Sequence, residues 1–176
     1  LATVLVTKKI GVSDEIINKS LRIFTPAFGR QEIFDINGKK VQIFLSKNPT
    51  SFNESLRTIA SLKAKNVLFV LNDRIPDGRD VSWIWDVDFE DYVNDFETVT
   101  VSGDRCYDMG LRIKYSNQKS NIKNQKYNSK VKIYEKLDKA LRNGLSNTKD
   151  SETLYVLPTY SGMLEVRKIL TGRRIL

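Results

Sequence analysis

The chain has 176 residues, enough for one α/β domain with a real core or one domain plus a fragment of a second. Hydrophobic residues at 40% and charged residues at 28% describe a globular chain, not a disordered one. It contains no histidine and one cysteine, which excludes Ser-His-Asp and Cys-His triads, imidazole metal sites, an internal disulfide and a thiolate zinc site built from this chain alone.

No apolar run reaches the roughly 18–20 residues needed to span a bilayer, and no charged-then-apolar leader opens the chain. The expected location is therefore cytoplasmic. The first residue is Leu1, as in a piece cut from something longer.

The formal net charge is +8, unevenly spread. Residues 73–97 hold nine acids against Arg74 and Arg79, a net of −7, whereas 111–142 hold ten Lys/Arg against Glu135 and Asp138, a net of +8. A uniformly basic nucleic-acid sheath would not carry so acidic a block in its middle.

In chain order, residues 1–9 read as the end of a helix, with Lys8 and Lys9 in its last turn and Gly11 as the cap. Ser13 caps a short amphipathic helix whose apolar stripe is Ile16, Ile17, Leu21 and Phe24, broken at Pro26 and Gly29. Glu32–Ile36 and Lys40–Leu45 flank Asn37-Gly38, which suits a type I′ hairpin because both central residues need positive φ. Ser51-Phe52-Asn53-Glu54 reads as a capping box opening a helix to about Ala64. The apolar run Val67–Leu71 predicts a strand buried on both faces. A long polar loop then leads from Asn72 to about Trp85, and a short helix covers Asp88–Asp95. Thr98–Val101 is a second buried strand, followed by a helix over about Asp104–Tyr115. The Asn/Lys-rich stretch Ser116–Lys130 reads as a solvated connection. A strand at 131–134, a helix at 136–145, a strand at Leu154–Leu157 and a helix at Ser161–Leu170 complete the pattern. Helix and strand alternate after the hairpin, which predicts a Rossmann-like, mainly parallel α/β sheet covered by helices on both faces.

In such sheets, functional groups gather at the C-terminal ends of the strands. The loop after Val67–Leu71 is such a place and reads Asn72-Asp73-Arg74-Ile75-Pro76-Asp77-Gly78-Arg79-Asp80. Asp77, before Gly78, reads as a turn residue. Asp86 or Asp88 reads as a helix cap. Asp80 stands just before a Trp-bearing segment, where a carboxylate can serve for orientation or as a general base. Arg30, after Gly29, has the fork that grips phosphate, or is a surface arginine. Lys47-Asn48-Pro49 closes the second strand before a helix N-terminus, either an anion site or a turn. There is no GxxxxGK[ST] and so no P-loop. Trp83 and Trp85 read as packing or interface residues, and Cys106 as a small buried side chain.

Gly29-Arg30-Gln31-Glu32, Lys47-Asn48-Pro49, Leu71-Asn72-Asp73, Asp77-Gly78-Arg79-Asp80-Val81-Ser82-Trp83-Ile84-Trp85-Asp86 and Leu157-Pro158-Thr159-Tyr160 occur in that order. Together they resemble the C-terminal domain of the MurT family, the Mur-ligase-like subunits of lipid II isoglutaminyl synthase. On this resemblance residues 25–176 form the Mur ligase C-terminal domain, and residues 1–24 are the tail of the preceding central domain.

The resemblance implies an ATP- and Mg2+-dependent ligase that amidates the D-glutamate of the lipid II stem peptide to D-isoglutamine, at the inner face of the membrane. It implies a heterodimer with a glutaminase subunit, GatD in that family, which supplies the ammonia and docks on this domain. Asp80 matches the aspartate at the shared active centre, Arg30 matches the arginine that reaches ATP phosphate, and Lys47 and Asn48 lie in the segment lining the nucleotide cleft. No metal ligand is assigned to this chain, and the bulk of ATP and Mg2+ binding falls to domains outside it. Phe44 stands where many Mur ligases carry an aspartate. Two other readings remain: a basic nucleic-acid module over 111–142, where Tyr115, Tyr127 and Tyr134 interleave the Lys/Arg but Trp83 and Trp85 lie in the acidic block and no nucleic-acid motif appears, and a docking domain with the 73–97 block as its partner surface.

Overall fold

The computed structural model describes residues 2–24, 29–119 and 131–172. Its helices are α1 (Ala2–Lys9), α2 (Asp14–Ile23), α3 (Pro49–Ser61), α4 (Phe89–Tyr92), α5 (Cys106–Lys119), α6 (Leu137–Asn147) and α7 (Tyr160–Thr171). Its strands are β1 (Arg30–Ile36), β2 (Lys39–Phe44), β3 (Asn66–Val70), β4 (Thr98–Ser102), β5 (Val131–Ile133) and β6 (Thr153–Pro158). They form one six-stranded sheet in the order β1-β2-β6-β3-β4-β5, antiparallel only between β1 and β2.

Period-two alternation sorts the strands' side chains between two cores. Val67, Phe69 and Leu71 join Val99, Val101 and Leu157 under α3, α4 and α5, while Leu68 and Val70 join Val41, Ile43 and Val156 under α6 and α7. The connections after β2, β3 and β4 therefore run over one face, and those after β5 and β6 over the other. At its C-terminal end β6 is flanked by two points where neighbouring chains diverge to opposite faces, one beside β2 and one beside β3. Ligand crevices of open α/β sheets form at such points.

The hairpin is as its sequence predicts: Asn37 has φ 53° and Gly38 φ 82°, the pair of positive values a type I′ turn requires. The α3 start differs from the expected capping box. Asn48 is the N-cap, its side chain accepts from the Ser51 N–H at 2.8 Å, and Pro49 fills the first helical position. Pro49 wins because its missing N–H costs nothing there, which moves the cap three residues upstream of Ser51. Helix α5 runs on to Lys119 rather than ending at Tyr115, and the rest of the expected connection, 120–130, lies outside the described residues, as does Pro26. In α2 only Ile17 of the apolar stripe is buried; Ile16, Leu21 and Phe24 face outward.

The segment after the β3 loop, a 3-10 turn over Ser82–Asp86 followed by α4, is held from below by Arg112. This side chain is 3% exposed and donates to the Ile84 carbonyl at 3.1 Å, the Val87 carbonyl at 2.6 Å and the Glu90 carboxylate at 3.0 and 2.8 Å. Its guanidinium also lies 5.4 Å from the Trp85 ring and 5.2 Å from that of Phe89. Replacing it by alanine strands two carbonyls and a half-buried carboxylate. We expect Arg112→Ala to destabilise the domain by about 3–5 kcal/mol in urea unfolding. An exposed-lysine control, Lys114→Ala, is expected to cost less than about 0.5 kcal/mol.

Candidate functional site

Both crevices beside β6 are populated by residues that the sequence singles out. Arg30 opens β1 opposite Phe44, the last residue of β2, so that Arg30, Lys47 and Asn48 come together at one end of the sheet. The Leu45 N–H donates to the Gly29 carbonyl at 2.8 Å and the Ser46 N–H to the Pro158 carbonyl at 2.9 Å, locking this corner onto β6. Gly29 has φ 73°, and a Cβ there would collide with Met163 of α7. Its N–H donates to the Glu32 carboxylate at 3.0 Å, and Glu32 is ion-paired in turn with Arg167 of α7.

The Arg30 and Lys47 side chains are exposed and have no carboxylate partner among the described residues. The side-chain oxygen of Asn48 is spent on capping α3. The Lys47 and Asn48 N–H groups both donate to the Ser51 hydroxyl, at 3.0 and 3.2 Å. Phe44 is buried against Tyr155, with ring centroids 6.2 Å apart.

The second crevice, between β6 and β3, is closed by hydrogen bonds. Asn72 is 1% exposed. Its N–H donates to the Thr159 hydroxyl at 3.1 Å, its side-chain amide donates to the Ser161 hydroxyl at 2.9 Å, and its side-chain oxygen accepts from the Asp104 N–H at 2.9 Å. Gly103, with φ 104°, lets the β4–α5 turn reach it; a Cβ would lie 2.7 Å from that oxygen. Asp73 pairs with Arg105 at 3.1 Å, and Arg74 bridges Asp104 at 2.7 Å and Glu165 at 2.6 Å. Asp77 is more than a turn residue. Its carboxylate accepts from the backbone N–H of Ser161 at 2.8 Å and from that residue's hydroxyl.

Asp80 lies on the exposed surface of this loop. Its carboxylate accepts from the Ser82 N–H at 2.8 Å. The Ser82 hydroxyl, followed by this N–H, holds the Asp80 carboxyl below the usual aspartate range. As an exposed anion it can pair with and orient a cation.

Of the neighbouring acids, Asp88 stands at the N-cap of α4 but spends its carboxylate on the Asn53 amide at 2.7 Å. Trp83 packs on Phe52 at 6.0 Å, and Trp85 is half exposed beside Tyr115. Cys106 is buried, and burial pushes its thiol up. No group of three or more His, Cys, Asp or Glu side chains among the described residues can hold a metal ion. Sequence reasoning missed Asn72, Arg112 and the reach of Asp77; the adjacency of Asn72-Asp73 to a buried strand was the one local signal.

A 13C titration of the Asp80 carboxyl is expected to show a midpoint below the ordinary aspartate value. Ser82→Ala removes the hydroxyl and is expected to raise that midpoint. Equal midpoints in the two proteins would show that Ser82 does not tune Asp80.

The model of the MurT ligase C-terminal family matches residues 45–163. Over 177 aligned residues the chain is 30% identical to the MurT subunit of lipid II isoglutaminyl synthase (glutamine-hydrolyzing) from Streptococcus pneumoniae, covering 99% of this chain and 37% of that protein. It is 35% identical over 116 residues to the subunit of the same name from Staphylococcus aureus, covering 65% of this chain and 26% of that protein. The chain thus spans only about a third of the length of these relatives. Among solved structures it is similar to the MurF ligase of Thermotoga maritima in complex with ADP, at TM-score 0.62 and 12% identity, over 96% of this chain and 36% of that one. It is also similar to the UDP-N-acetylmuramate-alanine ligase MurC of the same organism, at TM-score 0.61 and 14% identity, over 98% and 36%.

Proposed function

The chain belongs to the MurT ligase C-terminal family, and from that premise we propose that it is the C-terminal domain of an ATP-dependent amidotransferase subunit. The complete subunit converts the D-glutamate of the lipid II stem peptide to D-isoglutamine with ammonia released by a glutaminase partner of the GatD kind. Residues 1–24 are the tail of the central domain before it. The work is done at the inner face of the membrane by a heterodimer; no helix among the described residues is long and apolar enough to cross a bilayer.

The observation that carries this reading is Asp80, an exposed carboxylate held below the usual aspartate range by Ser82 on the loop that follows β3, in a chain with no histidine of its own. Such a group is half of a carboxylate–imidazole pair. Its partner histidine comes from the glutaminase, together with the nucleophilic cysteine. Asp80 accepts the imidazole N–H on the side away from the thiol, fixes the tautomer, and stabilises the imidazolium that forms when the thiol loses its proton. It need not itself be protonated at any step.

The other crevice serves the nucleotide. Arg30 and Lys47 fit polyphosphate: two exposed cations at one strand end, beside α3, with no carboxylate partner among the described residues and with the guanidinium able to fork onto adjacent oxygens. Bound ATP supplies the phosphoryl group that makes the stem-peptide α-carboxyl an acyl phosphate open to ammonia. Asn48 lines the cleft and shapes the start of α3 through its side-chain oxygen. Phe44, held in the core, offers no carboxylate to the nucleotide, so Mg2+ and most ATP contacts fall to parts of the subunit outside this chain.

In the complete subunit assembled with its partner, Asp80→Asn is expected to lower glutamine hydrolysis by about 10²–10⁴-fold while leaving the complex intact on gel filtration. Wild-type hydrolysis by this variant would overturn the assignment. Arg30→Ala is expected to raise the KM for ATP about tenfold, corresponding to the loss of one charge-assisted contact, with glutamine hydrolysis little changed.

A further inference from the structure

We propose that Asp77 is a positioning residue for Asp80: it caps α7 from outside the helix and through that bond fixes the loop segment that presents the Asp80 carboxylate. The proposal rests on the reading of Asp80 given above.

The loop between β3 and the 3-10 turn is long enough to wander unless tied. Its first part is tied heavily, by Asn72, by Asp73 to Arg105, and by Arg74 to Asp104 and Glu165. Its far end is anchored at Val81, which is buried in the core under α3 and α4. Between these anchors Ile75, Pro76, Gly78, Arg79 and Asp80 are exposed. Within 75–80, among the described residues, Asp77 alone bonds to a distant part of the chain, by two hydrogen bonds to Ser161, 84 residues away.

That bond is also what α7 needs. Thr159 is its N-cap but makes no side-chain cap bond, because its hydroxyl accepts from Asn72 instead. The Ser161 N–H, one of the orphan donors of the first turn, is satisfied by Asp77 at 2.8 Å. A carboxylate there also meets the positive end of a 12-residue helix. The Ser161 hydroxyl donates to Asp77 and accepts from the Asn72 amide at 2.9 Å, so the three side chains form a relay with each proton assigned.

The helix start is itself immobile. Ser161, Gly162 and Met163 are buried, and Gly162 sits so close to β3 that a Cβ would lie 2.9 Å from Val70. Asp77 thus transmits the position of a rigid element to a carboxylate three residues further along an otherwise exposed strip. It acts through Asp80 and does not touch the reacting atoms.

The test measures kcat and KM for glutamine and the dissociation constant of the complex, using the complete subunit with its glutaminase partner. Asp77→Ala is expected to lower kcat about 10–100-fold, the scale of an ångström misplacement, with KM and complex affinity within about twofold of wild type. Asp77→Asn keeps an oxygen that accepts the Ser161 N–H and is expected to recover most of kcat. Ser161→Ala, which keeps the N–H and loses the hydroxyl, is expected to fall between them. Asp80→Asn is the reference. If it hydrolyses glutamine normally, the reading of Asp80 falls. If it is inactive while Asp77→Ala keeps wild-type kcat, the positioning role is overturned and the reading of Asp80 stands. Should Asp77→Ala fail to assemble, wild-type kcat in both Asp77→Asn and Ser161→Ala overturns the role equally. An effect of Asp77→Asn confined to KM would make Asp77 a substrate contact and likewise overturn it.

Discussion

The architecture at the functional edge depends on how one buried amide is satisfied. Asn72 stands where β3 ends, and its three hydrogen bonds hold the starts of α5 and α7 against that end. The Asn72 amide and the Thr159 hydroxyl are buried, and leaving such a group unpaired costs about 1–3 kcal/mol. The arrangement therefore specifies more than it stabilises. An apolar residue of similar size would fill the space but leave nothing to choose among nearby placements of three chain segments. Gly103 completes the constraint from the other side, since only a residue without a side chain brings the β4–α5 turn within reach of Asn72. The loop that follows inherits a defined origin from this knot and a defined course from the ion pairs of Arg74 and Arg105.

This changes the meaning of the charge distribution. By composition, 73–97 is a net −7 block and looks like a single acidic surface. In the fold, Asp73 is paired with Arg105, Asp77 is bound to Ser161, Asp88 holds Asn53, Glu90 faces Arg112 and Glu97 faces Lys65. These groups are spent on architecture, and each is matched by a donor from elsewhere in the chain. Arg112, counted in the basic stretch, is buried beneath the acidic one and belongs to it structurally. Charge counted along the sequence thus exaggerates both poles. Asp80 differs from these five because its partner, Ser82, is local and the residue is exposed.

What the sequence disclosed and what it withheld divide along the range of the interactions. The hairpin was legible because Asn37-Gly38 sets its own φ values, and the buried strands because Val67–Leu71 has no polar residue to place. The α/β alternation followed, and with it the edge of the sheet where the site residues gather. The start of α3 was misplaced by three residues because two capping signals overlap, and the choice of Asn48 depends on Pro49 occupying the first helical position. The outward face of Ile16, Leu21 and Phe24 was invisible to periodicity, which reports that a stripe exists but not what it meets. The sequence around Asp77 spells a turn, and Asp77 does close one: its N–H donates to the Arg74 carbonyl at 2.8 Å. The local rule was satisfied in full and said nothing about a partner in α7.

The two crevices share one wall. Helix α7 leaves β6 between them, packs Met163 over Gly29 and pairs Arg167 with Glu32 on the Arg30 side, and holds Asp77 through Ser161 on the other. In the proposed function these are the sides of ATP-dependent activation and of ammonia release, two reactions useful only when they keep step. A rigid element touching both is a necessary condition for coupling but not a sufficient one, since coupling requires two arrangements of that element biased by both sites. The packing argues against free sliding: a Cβ on Gly162 would lie 2.9 Å from Val70, so the start of α7 sits directly on β3. Any communication along this wall would therefore run through the polar bonds at the start of α7, which can be made and broken singly, rather than through displacement of the helix body.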